Sequence, residues 1–158
     1  MASPFNSPLE SAIRTLAILA AINPQSADLQ RLLMFDYLLV HSADADGPPS
    51  LHPNTPLRNG ELLVRRTLLQ EGLMLLLSRE LVERRTTASG IEYAAQESAT
   101  PFLDSLSSSY VHDLRERGFW LEERFMPFSE EELSRYFKSH FDHWTTEFQN
   151  PETAGEPG

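Results

Sequence analysis

Two groups of residues in this sequence have types and spacings that bear on catalytic or metal chemistry. His140-x-x-His143, with Glu147 a further turn on, can set two imidazoles and a carboxylate along one side of a helix, a combination able to ligate zinc. The same spacing suits a helix that packs one histidine among aromatic neighbours and leaves the other in water. His140 falls inside an aromatic stripe, so the second reading is preferred and no metal site is expected. His41, Asp44, Asp46 and His52 lie in or beside a proline-rich connection, where a rigid loop can position a hydrolytic centre. Asp and His are also ordinary turn and cap residues, and no Ser or Thr stands in a recognisable nucleophile context. No catalytic residue is therefore assigned. The sequence has no glycine-rich phosphate loop, and its lack of cysteine removes thiolate nucleophiles, disulfides and Cys-ligated zinc together. No cofactor is expected.

The arginines form a third group, suited to binding. Between residues 58 and 85 stand six arginines (Arg58, Arg65, Arg66, Arg79, Arg84, Arg85) against four glutamates (Glu61, Glu71, Glu80, Glu83), a local balance of +2. The other residues hold seven cations and nineteen acids, or −12, for a formal charge of −10. An anionic chain is repelled by phosphate backbones unless its cations are gathered in one place. Only Lys138 is a lysine, and arginine favours fixed, forked contacts with carboxylates, those of a protein partner included. Arg65 and Arg66 lie on a helix with almost no polar face, which favours a partner contact. Arg58, Glu61, Arg65, Arg66 and Trp144 are the candidate partner-binding residues. Arg84 and Arg85, on a hairpin, are secondary candidates for a nucleic-acid backbone.

The elements that carry these residues read as mainly helical. Ser7-Pro8-Leu9-Glu10 predicts a helix start in which the serine hydroxyl and the glutamate carboxylate satisfy backbone donors reciprocally, with an apolar stripe running to Asn23-Pro24. A second helix is predicted over residues 27–41, capped by Ser26. Residues 42–60 have no apolar period and contain several prolines. Their Pro-Pro and His-Pro steps suit an ordered, extended loop. Residues 61–78 predict a long helix that is apolar nearly all round, with Leu62, Leu69, Leu73 and Leu76 in one sector, Leu63, Met74 and Leu77 in a second, and Val64, Leu68 and Leu75 in a third. Such a helix is buried on several sides, by its own domain or by another protein, and is expected at the structural centre. It runs into a hairpin whose strands flank Thr87-Ala88-Ser89-Gly90. Thr100-Pro101 opens a helix continuing to Met126-Pro127, with Gly118 as a weak point or kink. A capping box at Ser129-Glu130-Glu131-Glu132 starts an amphipathic helix to about Phe148, whose stripe of Leu133, Tyr136, Phe137, Phe141, Trp144 and Phe148 is read as core.

The expected fold is a mainly α, single helical domain over residues 1–149, with a winged-helix-like unit, one small β-hairpin and a C-terminal amphipathic helix. Residues 150–158 read as a disordered tail. No run approaches the roughly 18 uninterrupted apolar residues of a membrane span, and the first residues do not resemble a secretory signal, so a cytoplasmic protein is expected.

Four runs, Phe5-Asn6-Ser7-Pro8-Leu9-Glu10, Asp36-Tyr37-Leu38-Leu39-Val40-His41-Ser42, Gly47-Pro48-Pro49-Ser50-Leu51-His52-Pro53 and Arg58-Asn59-Gly60-Glu61-Leu62-Leu63-Val64-Arg65-Arg66, resemble the middle component of bacterial ABC-three-component systems. The resemblance spans about residues 5–148. It implies a non-catalytic accessory subunit of an SMC- or ABC-type ATPase complex with an effector, as in Lamassu-type anti-phage defence, similar to the small winged-helix partners that bind SMC-type ATPases near their heads. DNA contact would occur only within that complex, and no membrane is implied. The connection between the second and third helices is far longer than the tight turn of a DNA-reading helix-turn-helix, which weakens any transfer of DNA readout. Two further readings stand beside this one: a stand-alone winged-helix DNA-binding regulator, and a small hydrolase using the loop around His52.

Overall fold

The computed structural model describes residues 7–52 and 61–141, which form six α-helices, a short 3-10 helix at Ser42–Ala45 and one two-stranded antiparallel hairpin. Ser7 caps α1 (Pro8–Ile22) by accepting the Glu10 N–H, as its sequence predicts. The Glu10 carboxylate does not complete the expected capping box. It turns inward to Arg14 and Tyr110, a stronger alternative for a carboxylate than a single backbone donor. The second helix, α2 (Leu29–Val40), starts later than expected, because Asp28 rather than Ser26 accepts the Arg31 N–H. The backbone of Ala27 instead pairs with Tyr93 of the hairpin, and Ser26 donates to Glu92.

α1 and α2 are the most enclosed elements; every residue from Leu32 to Val40 is buried. The expected centre, α3 (Glu61–Ser78), lies instead on the outside of α1. Only the sector of Leu62, Leu69, Leu73 and Leu76 is fully buried, and Leu68 and Leu77 are half-buried. Gly72, in the same sector, lets the two backbones approach: a Cβ there would fall 2.9 Å from the Ala12 nitrogen. On the other side of α1, α5 (Ser109–Phe125) makes a comparable approach through Gly118, where a Cβ would meet the Ala17 carbonyl oxygen at 3.1 Å. Gly118 thus marks a close helix contact inside a continuous helix, in place of the kink read from sequence.

The single helix expected after the hairpin is divided into α4 (Ala99–Asp104) and α5. Ser105, Ser107 and Ser108 fill the gap. Serine side chains compete with the helical backbone bonds, and Ser108 restarts the helix by accepting the N–H groups of Tyr110 and Val111. The strands β1 (Val82–Thr87) and β2 (Gly90–Ala95) pair in register from Val82 with Ala95 to Thr87 with Gly90. α6 (Glu130–His140) has the predicted capping box between Ser129 and Glu132 and sends Leu133 and Phe137 into the core against Tyr37.

The described part of the proline-rich connection, residues 42–52, is fixed along α5. The Ser42 hydroxyl donates to the Pro48 carbonyl, Arg117 to Pro49 and Arg124 to Ala45. The Trp120 ring lies so close to Gly47 that a Cβ there would overlap it. Residues 53–60 of that connection, and the expected end of the last helix, Trp144, Phe148 and the tail 150–158, lie outside the described residues. Among the described residues no helix is long and apolar enough to cross a membrane.

Candidate functional site

Asp36 sits in the middle of a buried helix, and its carboxylate is fully enclosed. A buried carboxylate requires charge and hydrogen-bond partners. Arg14 of α1 provides Nε at 2.7 Å and Nη2 at 3.4 Å, and Arg65 of α3 provides Nη1 at 2.6 Å. Arg14 is itself 1% exposed and also pairs with Glu10 one turn back. The result is an alternating chain, Glu10, Arg14, Asp36, Arg65, which has no net charge and joins α1, α2 and α3. Burial alone would raise the Asp36 pKa; the two guanidinium groups overcome it and hold the carboxyl below its ordinary 3.8.

The chain continues through hydroxyl and imidazole groups. Tyr110 of α5 donates to Glu10 Oε1 at 2.5 Å, and with that proton committed, His52 Nε2, 2.8 Å away, donates to the phenol oxygen. His41 lies 6.2 Å from His52, ring to ring, and rests on Tyr37 at 4.7 Å. Burial lowers the His41 pKa to about 4 and the His52 pKa to about 3, with nearby arginines adding to the shift, so both are neutral at pH 7. Burial raises Tyr110 to about 12. Helices α2, α3 and α5 therefore all meet α1 through this polar chain, together with the loop that carries His52.

Its consequence for the surface is the position of α3. With the Leu62 sector inward, most of the second and third sectors faces out: Leu63 is 66% exposed, Met74 67% and Val64 58%, while Leu68 and Leu77 are half-buried. Leu75 is exposed at the far end of the same helix, and Arg66 is exposed near its start. Isolated exposed apolar side chains are common, but several large ones on one helix make a candidate interaction surface.

The predicted site residues fall as follows. Arg66 is exposed on α3, whereas Arg65 places its guanidinium on Asp36 with 17% of the side chain accessible. Glu61 begins α3; its side chain, together with Arg58 and Trp144, lies outside the described residues. On the hairpin Arg84 is exposed, and Arg85 is tied to Glu83 at 2.8 Å and to the Pro24 carbonyl. The loop cluster is split: His41 and His52 turn inward, while Asp44 and Asp46 face water. His140 is exposed and stacks on Tyr136 at 4.0 Å, and its neighbour His143 lies outside the described residues. The sequence reading missed Glu10, Arg14, Asp36 and Tyr110. Arg14 and Asp36 stand within apolar runs of their helices, and two such charges of opposite sign are each other's natural partners.

A family model described as ABC-three component (ABC-3C) system Middle Component 2 matches residues 4–147, nearly the whole chain. No curated protein and no solved structure matches the chain.

Proposed function

The chain belongs to the ABC-three component system Middle Component 2 family, and from that premise we propose that it is a non-catalytic accessory subunit that docks through the outer face of α3 onto the SMC- or ABC-type ATPase of its system and bridges or regulates the effector. The observation that carries this reading is the exposed apolar face of α3, with Leu63, Val64 and Met74 in water while the opposite face is fixed by leucines and by the Arg65 to Asp36 ion pair. Arg66 supplies the charged contact. Arg58, Glu61 and Trp144 are retained as further partner contacts on the strength of the sequence. The sequence resemblance to Lamassu-type systems supports a role in anti-phage defence. α3 and the hairpin form a winged-helix-like unit in this reading, and Arg84, with Arg85 behind it, offers a DNA contact within the assembled complex. A stand-alone DNA regulator is less well supported by a chain of formal charge −10 whose hairpin has one arginine already paired.

The test is co-purification of the chain with the ATPase and effector encoded beside it. The wild-type chain is expected to run with at least the ATPase at micromolar concentration. Met74→Glu and Arg66→Glu, at exposed positions where substitutions change stability by less than about 0.5 kcal/mol, are expected to abolish or weaken that assembly while circular dichroism stays unchanged. A wild-type chain that migrates alone refutes the function, and assembly indifferent to both substitutions refutes the choice of face.

A further inference from the structure

Where α1, α3 and α4 meet, an open-sided apolar cleft of about 320 Å³ separates their side chains. Its floor is formed by Leu76 and Leu81, and its rim by Leu9, Leu75 and Phe102, all three exposed. The volume is at the small end of the roughly 300–1,000 Å³ range of ligand pockets, enough for a side chain or two of a larger partner. Arg79 is the single charged residue among those lining it.

Among the described residues the guanidinium of Arg79 has no structural task. At the C-terminus of α3 the backbone N–H groups of Arg79, Glu80 and Leu81 already bind the carbonyls of Leu75, Leu77 and Leu76, so the helix end does not need the side chain as a cap. Among the described residues it makes no hydrogen bond and no ion pair, and it is exposed. Most other arginines of this acidic chain are engaged: Arg14 and Arg65 with Asp36, Arg85 with Glu83, Arg115 with Asp104, and Arg31, Arg117 and Arg124 with backbone carbonyls. A fork-shaped cation with no partner among the described residues, at the edge of an apolar cleft, is complementary to an apolar side chain that has a carboxylate close to it.

We propose that this cleft receives an amphipathic helical segment of another subunit of the same three-component system, which seats aliphatic side chains over Leu76 and Leu81 and sets an Asp or Glu on Arg79. The inference rests on the accessory-subunit reading and adds to it a second docking point at the C-terminal end of α3, set off from Leu63 and Met74 by the exposed polar strip of Thr67, Glu71 and Ser78, with Val64 on the cleft's side of that strip near the helix start. A cleft between helices reads a partner helix by side chains one turn apart. Two independent docking points are what a subunit needs to hold two partners at once.

The experiment uses overlapping synthetic peptides covering the other two components, each long enough for several helical turns, titrated against the full chain by fluorescence polarisation. A peptide with aliphatic residues one turn apart and a neighbouring acid is expected to bind. Arg79→Gln should weaken it about tenfold, amidation of the peptide's acid should weaken it equally, and the two changes together should cost no more than either alone. Leu75→Asp should abolish binding. If no peptide binds with a dependence on Arg79, the proposal is overturned. It is equally overturned if the amide resonances of Leu75, Leu81 and Phe102 shift on removal of residues 142–158, which makes the occupant this chain's own acidic tail, or shift with protein concentration, which makes it a second copy. Co-purification of the intact subunits in the absence of any peptide binding leaves the accessory role standing and removes only the cleft.

Discussion

Replacing Asp36 by Asn removes the negative charge on which two arginines converge. In the native chain Glu10, Arg14, Asp36 and Arg65 sum to zero; in the variant they sum to +1 inside the protein. Arg65, 17% exposed, can swing to water. Arg14, 1% exposed, cannot, and loses its forked ion pair with Asp36 while keeping the one with Glu10. Removing one partner of a buried ion pair costs about 3–5 kcal/mol, and the partial escape of Arg65 puts this site at the lower end, about 3 kcal/mol. For a chain of this length that corresponds to a fall in melting temperature of about 6–12 °C. Urea and thermal unfolding followed by circular dichroism at neutral pH would measure it, and hydrogen exchange should show the α3 amides opening more readily than those of α5. The double variant Arg14→Met with Asp36→Leu removes both charges and is expected to cost less than Asp36→Asn, since apolar replacements of a buried pair are often neutral. An Asp36→Asn chain within about 0.5 kcal/mol of wild type, or strictly additive single variants, would refute the claim that the buried chain holds α3.

Two further perturbations test the surroundings of that chain. His41 and His52 have folded pKa values of about 4 and about 3, below the ordinary 6.5, because burial disfavours the imidazolium; the unfolded chain therefore binds protons from pH 6.5 downward that the folded chain does not. Stability is complete above pH 6.5 and falls as pH drops, by about 2 kcal/mol per histidine at pH 5, with the Asp36 contribution lost only below its ordinary 3.8. Urea midpoints between pH 7 and pH 5 should show the fall, and His52→Gln should remove about half of it; a flat profile excludes the buried neutral histidines. Gly47→Ala drives a methyl into the Trp120 ring and should cost about 1–3 kcal/mol, with the tryptophan emission shifting as the indole is displaced. An unchanged unfolding midpoint would mean that the loop is not clasped to α5.

Much of the helical skeleton was legible from local signals. Ser7-Pro8, Asn23-Pro24 and the Ser129 to Glu132 box declare their chemistry within a few residues, and the structure has helix ends at each. The hairpin was legible because two extended runs flank a short polar turn ending in Gly90, whose φ of 125° is open to glycine. What failed depended on competition between neighbours. Ser26 and Asp28 are both good caps, and the choice went to Asp28 because Ala27 is drawn into a distant pairing with Tyr93 that no local rule includes. The break at residues 105–108 was obscured because the apolar stripe continues in phase across it. Among the site residues, Arg66 and the three apolar sectors of α3 could be read from spacing. The inward turn of Arg65 could not, since its partner stands 29 residues earlier on another helix.

The three sectors of α3 raise a question that leucines cannot answer. Leu62, Leu69, Leu73 and Leu76 fill the interface with α1, but Leu63, Met74 and Leu77, or Val64, Leu68 and Leu75, have similar bulk and would be buried after a rotation of about 100°. Apolar burial is non-directional, so by itself it leaves the rotation of α3 poorly determined. Two features belong to one sector only. Gly72 allows the close approach to Ala12, and Arg65, two turns earlier on the same side, reaches Asp36 at 2.6 Å. Any rotation that buries another sector puts a side chain where Gly72 fits and pulls Arg65 from a carboxylate that cannot be left in the interior without its cations. The buried ion pair therefore contributes direction where hydrophobic contacts contribute area. It decides that Leu63, Val64 and Met74 are the residues left facing out, and by holding them in one orientation it lowers the ordering cost that any partner of that face must meet.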